Sequence, residues 1–246
     1  MSGAAGWPGA AARASGRTLR IGHKGCAAVV PGNTLEALER AAELGVDAVE
    51  FDALPDGHGG LRLAHDPDDL AARPDAPTLA QALDRLAQPD LAHLGIDLDS
   101  KWHGDEEQIV AALRERDLLD RTLVSTMEVV TLVRLREIEP ALRLGWSVPR
   151  VRRNPLSHPA TRPIGVAAVL AARRILPRRL IAALREGRVD AVMAHESLVS
   201  PAFARAVTAH GELYAWTVDD AARAARLVAL GVTGVISNDP RLVPAG

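Results

Sequence analysis

From residue 19 onward the chain repeats one unit, a short apolar run followed by an amphipathic stretch of helix-forming residues. The apolar runs fall at Leu19–Gly22, Ala48–Asp52, Leu94–Lys101, Thr122–Ser125, Leu142–Ser147, Ala191–His195, Leu213–Thr217 and Gly234–Ser237. A helix after each strand returns the chain to the same edge, so consecutive strands run parallel. Eight such units in 246 residues predict a single (β/α)8 TIM barrel, an α/β fold. An open doubly wound sheet is the other solution, but no glycine-rich phosphate loop follows the first strand. Asp56-Gly57 marks a turn into an extra β-hairpin arm at Leu61–His65, after the second strand. Helix starts are signalled by Asn33-Thr34-Leu35-Glu36, Pro77-Thr78, Asp105, Ser200-Pro201 and Asp219-Asp220. Asn33 is expected to cap the first of them.

Residues 1–18, rich in Ala and Gly, are expected to form a disordered leader, leaving 19–246 as the catalytic domain. That leader lacks the continuous apolar stretch of a signal peptide. The apolar segment from Val166 to Leu184 is broken by four arginines and Pro177, unlike a membrane span. A net charge of −2 argues against a nucleic-acid partner. The single cysteine, Cys26, excludes a disulfide framework and reads as a small buried hydrophobe. A soluble cytoplasmic protein is expected.

In a TIM barrel the chemistry collects at the C-terminal ends of the strands. Four strings lie there: His23-Lys24-Gly25, Glu50-Phe51-Asp52, His65-Asp66 and Asp99-Ser100-Lys101. Lys24 and Lys101 are the only lysines of an arginine-rich chain, which suggests a need for compact point charges at both places. Alternate strand residues share a face, so Glu50 converges with Asp52, and Asp99 with Lys101. Glu50, Asp52 and Asp99 suit one hard divalent cation, Mg²⁺ or Ca²⁺. Lys24 and Lys101 would bind phosphate, and His23 and His65 would serve as general acid and base. The set amounts to the toolkit for displacement at a phosphodiester.

These strings, with Pro31-Gly32-Asn33-Thr34, Ala215-Trp216-Thr217-Val218 and the run from Gly231 to Ser237, resemble glycerophosphodiester phosphodiesterases. The resemblance spans nearly the whole chain after residue 18. It implies a metal-dependent barrel that hydrolyses glycerophosphodiesters to glycerol 3-phosphate and an alcohol. His23 and His65 match the family's acid/base pair, Glu50 and Asp52 two metal ligands, and Lys101 a lysine. Trp216 matches a tryptophan at the substrate end of its strand. Three positions depart: Lys24 stands for an arginine, Gly32 for a glutamate and Asp99 for a glutamate ligand. A short segment from Asp66 to Pro77 replaces a longer insertion over the site. The partner expected is a small phosphodiester, with peripheral contact to lipid headgroups as a further option. Lipid-directed cleavage of the lysophospholipase D or sphingomyelinase D type, with release of a cyclic phosphate, is one alternative. A barrel that binds phosphate metabolites without turnover is another.

Several residues read two ways. Asp97 shares a face with Asp99 and Lys101, so either carboxylate could be the ligand; the family's spacing favours Asp99 and leaves Asp97 a polar group one layer deeper. His195 ends its strand on the catalytic face, either touching substrate or held as a structural histidine. Trp102, His103 and Ser125 stand near the mouth, while Trp146 reads as core. The loop from Arg150 to Pro163, with Arg152, Arg153 and Arg162, is a solvated loop or an anion-attracting rim.

Overall fold

The computed structural model describes residues 6–150 and 162–244. Eight strands close into a parallel ring: β1 (Leu19–Gly22), β2 (Ala48–Pro55), β4 (Gly95–Ser100), β5 (Thr122–Thr126), β6 (Arg143–Val148), β7 (Ala191–His195), β8 (Glu212–Trp216) and β9 (Gly234–Ser237). β1 pairs with both β2 and β9, which completes the circle. The extra arm is β3 (Leu61–Arg62), antiparallel to the end of β2 and outside the ring. Asp56 holds its turn by accepting from the amides of His58 and Gly60, at 2.7 and 2.9 Å. The predicted barrel and its arm are both present. Between Asp66 and the next barrel helix there is only the short α3 (Pro67–Ala72), so the insertion is reduced as expected.

The outer helices follow the capping signals. Thr78 and Gln81 form a capping box ahead of α4 (Leu79–Leu86). Ser200 caps α8 (Pro201–Thr208), and Asp220 caps α9 (Ala221–Ala229). α5 (Glu106–Arg114) and α6 (Val129–Ile138) are equally short. α2 (Leu35–Glu43) is capped by Thr34, whose hydroxyl accepts from Ala37, and not by Asn33. Asn33 is buried instead at φ 57° and points its amide at β2. α7 (Arg162–Arg185) is the exception in length, with 24 residues.

The leader expectation fails for the described residues before β1. α1 (Gly9–Ser15) lies across the N-terminal end of the barrel, and Trp7 plugs it at 6% exposure. The Trp7 indole donates to Glu212 Oε2 at 3.2 Å and to the Tyr214 hydroxyl at 3.0 Å. Tyr214 in turn donates to Glu212 at 2.8 Å. A core nearly without aromatics leaves a gap at the barrel floor that one indole fills. The small residues that suggested disorder allow the helix to approach closely: a Cβ at Gly9 would stand 2.2 Å from the Tyr214 hydroxyl. No helix among the described residues is long and apolar enough to cross a membrane. Arg152 and Arg153 lie outside the described residues, whereas Arg150 pairs with Glu128 at 2.7 Å.

Candidate active site

The site begins with a turn. After β1 the chain passes through Lys24 at φ 51° and Gly25 at φ 81°. That curl brings the Lys24 amide to Glu50 Oε2 at 2.8 Å and the Gly25 amide to the Glu50 carbonyl at 2.9 Å. A Cβ at Gly22 would meet the Gly25 carbonyl oxygen at 1.8 Å, so only glycine permits the fold-back. The turn orients Glu50 and presents His23 in the same stroke.

β2 and β4 supply the acids in register, Glu50 beside Asp97 and Asp52 beside Asp99. Glu50, Asp52 and Asp99 each place an oxygen within 4.8 Å of the others. Lys101 Nζ sits 2.6 Å from Asp52 Oδ1 and 2.5 Å from Asp99 Oδ2. Lys24 Nζ stands 3.6 Å from Asp52 Oδ2. Asn33 fixes Asp52 from behind, its amide donating to Oδ2 at 2.8 Å and its oxygen accepting the Asp52 amide at 3.1 Å. The residue expected to cap a helix positions a carboxylate.

Four acids face two lysines in a buried space. Burial, reinforced by the charge on Asp52, pushes the Glu50 carboxyl well above its usual range. Burial alone would raise Asp52 too, but the ammonium groups of Lys101 and Lys24 hold it well below. Burial opposes the charge on Lys101, yet Asp52 and Asp99 keep it firmly protonated. Burial lifts Asp97 to about 8, and only the neighbouring Ser125 hydroxyl opposes the rise as a hydrogen-bond donor. A hard, oxygen-only donor set in which carboxyls outnumber ammonium groups, and protons stand in for the missing charge, is what a divalent cation binds. Glu50, Asp52 and Asp99 therefore fit such an ion.

His23 Nδ1 lies 2.6 Å from Asn238 Oδ1. The Asn238 amide nitrogen donates to Asp219 at 2.6 Å, and its backbone amide to the same carboxylate at 2.9 Å. Asp219 accepts only, so it turns the Asn238 oxygen toward His23, and His23 Nδ1 must carry the proton. Its Nε2 is left bare, 3.8 Å from Glu50. Burial lowers the His23 pKa, which favours the neutral ring. His65 meets the Asp66 carboxylate through Nδ1 at 2.9 Å, and its backbone amide is held by Asp69 at 2.9 Å. Both imidazoles thus have Nδ1 engaged and Nε2 available.

His23, His65, Glu50, Asp99, Lys101 and Trp216 line one cleft of about 120 Å³ at the C-terminal mouth. Asp97 and Ser125 form part of its floor, and Met127, Ser147, Met193 and Thr217 part of its walls. Asp52 lies beneath the lining and Lys24 beside it. His195 is not brought in. Its Nδ1 accepts the Ser197 amide at 3.2 Å, and its ring stands edge-on to Trp216 at 5.2 Å. It props the tryptophan, whose indole donates to the Met193 carbonyl at 2.9 Å. Trp102 is exposed beyond the rim, and Trp146 is partly buried against the main core, beside α6 and outside the cleft.

Residues 23–72 and 63–242 match the model of the glycerophosphoryl diester phosphodiesterase family. The chain belongs to that family. A glycerophosphodiester phosphodiesterase of Caldanaerobacter subterraneus subsp. tengcongensis is 23% identical over 256 residues, covering 91% of this chain and 95% of that protein. The phosphodiesterase of Oleispira antarctica, solved with the product sn-glycerol-3-phosphate, superposes with a TM-score of 0.69 at 21% identity, covering 93% and 96% of the two chains. A glycerophosphodiester phosphodiesterase from Parabacteroides distasonis gives a TM-score of 0.68 at 18% identity, covering 91% and 94%. Two departures from the family pattern are neighbours in space. A Cβ at Gly32 would fall 2.8 Å from the Lys24 Cβ, so a side chain at position 32 would displace Lys24 as it now sits. Asn238 and Asp219 escaped the sequence reading, although β9 pairs with β1 and the residue after it must border His23.

Proposed function

We propose that this family member hydrolyses glycerophosphodiesters to glycerol 3-phosphate and an alcohol. The observation that carries the reading is the single cleft that joins the Glu50–Asp52–Asp99 cluster to two imidazoles with Nε2 available. A glycerol 3-phosphate complex of the similar Oleispira antarctica phosphodiesterase supports the product class.

Glu50, Asp52 and Asp99 would hold one Mg²⁺ or Ca²⁺. When bound, the ion polarises a phosphoryl oxygen and offsets charge gathered in displacement. Lys101, on the cleft wall, places its ammonium beside the same oxygens and helps orient the phosphate. Lys24 acts from behind by holding Asp52 ionised. His23, neutral and with Nε2 bare, takes the proton of the attacking water. His65 gives a proton to the departing alcohol, its ring aligned by Asp66. Trp216 offers an apolar wall for the glycerol carbons, because its N–H is already committed to Met193. The reaction belongs in the cytoplasm, with a small soluble diester as substrate.

The test is phosphorus NMR of glycerophosphocholine incubated with the enzyme, with Mg²⁺, Ca²⁺ or chelator. Glycerol 3-phosphate formed only with a cation, and lost in His23→Ala, is the expected result. A cyclic phosphate product would replace hydrolysis by internal attack of a substrate hydroxyl. Binding without any turnover would overturn the reading.

A further inference from the structure

Between Pro140 and Arg185 the chain holds ten arginines and no acidic residue, although its net charge is −2. α7 forms the described end of that stretch. At 1.5 Å per residue its 24 residues span about 36 Å, more than twice the length of α6. Its C-terminal part is anchored through buried Leu180 and Ala183. Arg173 donates to the Ser197 carbonyl at 2.6 and 3.0 Å, in the turn that follows β7 at the catalytic end. Residues before Arg173 therefore run past the rim of the active-site mouth.

The outer surface of α7 mixes two kinds of side chain. Leu170 and Ile175 are 50% and 59% exposed. Arg174, Arg178 and Arg179 are exposed and have no ion pair among the described residues. Residues four apart on a helix are neighbours, so Leu170–Arg174–Arg178 and Ala171–Ile175–Arg179 form adjacent rows. Next to α7, α6 exposes Val129, Val130 and Val133, and an apolar groove of about 200 Å³ lies between α6 and the C-terminal part of α7, reaching Ala183. α6 starts where β5 ends, at the catalytic rim. Apolar and cationic groups thus share one flank of the barrel, which starts at the rim of the mouth and runs down its side.

We propose that the α6–α7 flank docks on an anionic phospholipid bilayer, with Val130, Leu170 and Ile175 in the interface and Arg174, Arg178 and Arg179 on headgroup phosphates. The arginine stems reach past apolar neighbours while their heads stay among phosphates. A second copy is a poor occupant, because a two-fold contact would set these arginines against themselves. The surface is independent of the chemistry. It gains its use from the proposed reading, since docking would bring the mouth to the source of glycerophosphodiesters.

The test is co-sedimentation of the full chain with vesicles of phosphatidylcholine mixed with phosphatidylglycerol, against phosphatidylcholine alone. Binding is expected only with the anionic lipid, and it should weaken as salt rises. Reversing Arg174, Arg178 and Arg179 to Glu together should weaken it about 100-fold. Leu170→Glu with Ile175→Glu should weaken it about 10-fold or more. Hydrolysis of soluble glycerophosphocholine should be unchanged in both variants, which confirms that they fold. Failure of the wild type to bind anionic vesicles, or equal binding by the variants, would overturn the proposal. So would a dimer that these substitutions dissociate. A protein that binds vesicles but cleaves no diester would refute the function above and leave this surface standing.

Discussion

At the floor of the barrel Glu212 is buried among donors: the Trp7 indole, the Tyr214 hydroxyl and the Arg143 guanidinium all reach it. At the mouth, Asp97 is equally buried with only the Ser125 hydroxyl as a donor, and burial still raises it to about 8, while Glu50 beside it is raised by burial and like charge. Both ends bury carboxylates inside one strand ring. The floor satisfies its acid and is closed by a tryptophan, which makes it a device for stability. At the mouth burial is left uncompensated at Glu50 and Asp97, and both carboxyls are pushed up. That surplus is what a cation and a phosphate would relieve.

The comparison breaks first through activity. Asp52→Asn should lower kcat by about 1000-fold or more, with the fold intact by circular dichroism, because the variant weakens both the cation site and the Lys101 ion pair. His23→Ala should fall within about 100- to 10,000-fold of wild type, read by the same product assay. The floor should respond in the opposite currency. Trp7→Ala should cost about 3–5 kcal/mol in urea unfolding, with the activity of the remaining folded protein unchanged. A mouth substitution that unfolds the chain, or a floor substitution that silences it while folded, would erase the distinction.

Two smaller effects sharpen it. Mg²⁺ or Ca²⁺ at one hundred times its dissociation constant should stabilise the wild type by about 2.7 kcal/mol in thermal unfolding and leave Asp52→Asn nearly unmoved. Asp97 carries a proton in the folded state up to about pH 8, whereas the unfolded chain releases it near the ordinary carboxylate value of 3.8. The native state therefore holds the extra proton between those values, and stability falls as pH rises through that window. In chelator the slope from this group approaches roughly 1.4 kcal/mol per pH unit. Asp97→Asn should flatten it and leave the variant the more stable at pH 8. Equal slopes in the two proteins would remove Asp97 from the account.

Most of the barrel was legible because period and punctuation agreed: eight apolar runs, with side-chain caps ahead of α2, α4, α8 and α9. The residues proposed to hold the metal and to act as acid and base were legible for the same reason, since strand ends set where Glu50, Asp52 and Asp99 must point. What escaped was set by contacts between distant residues. Trp7 gains its meaning only from Tyr214 and Glu212 some two hundred positions away. Asn33 looked like a cap because its neighbours cap, yet its left-handed backbone turns the amide onto Asp52. His195 has a strand-end address like the candidate site groups, but its ring packs edge-on against Trp216 and stays outside the cleft lining. Local pattern reports which face a residue occupies and not which neighbour has already taken its hydrogen bonds.

The most direct test is anomalous diffraction from crystals grown with Mn²⁺ as a stand-in for Mg²⁺. The account predicts one strong peak about 2.0–2.3 Å from oxygens of Glu50, Asp52 and Asp99, with Lys101 Nζ withdrawn from its place between Asp52 and Asp99. Absence of a peak there, with Lys101 still bridging the two carboxylates, would contradict it.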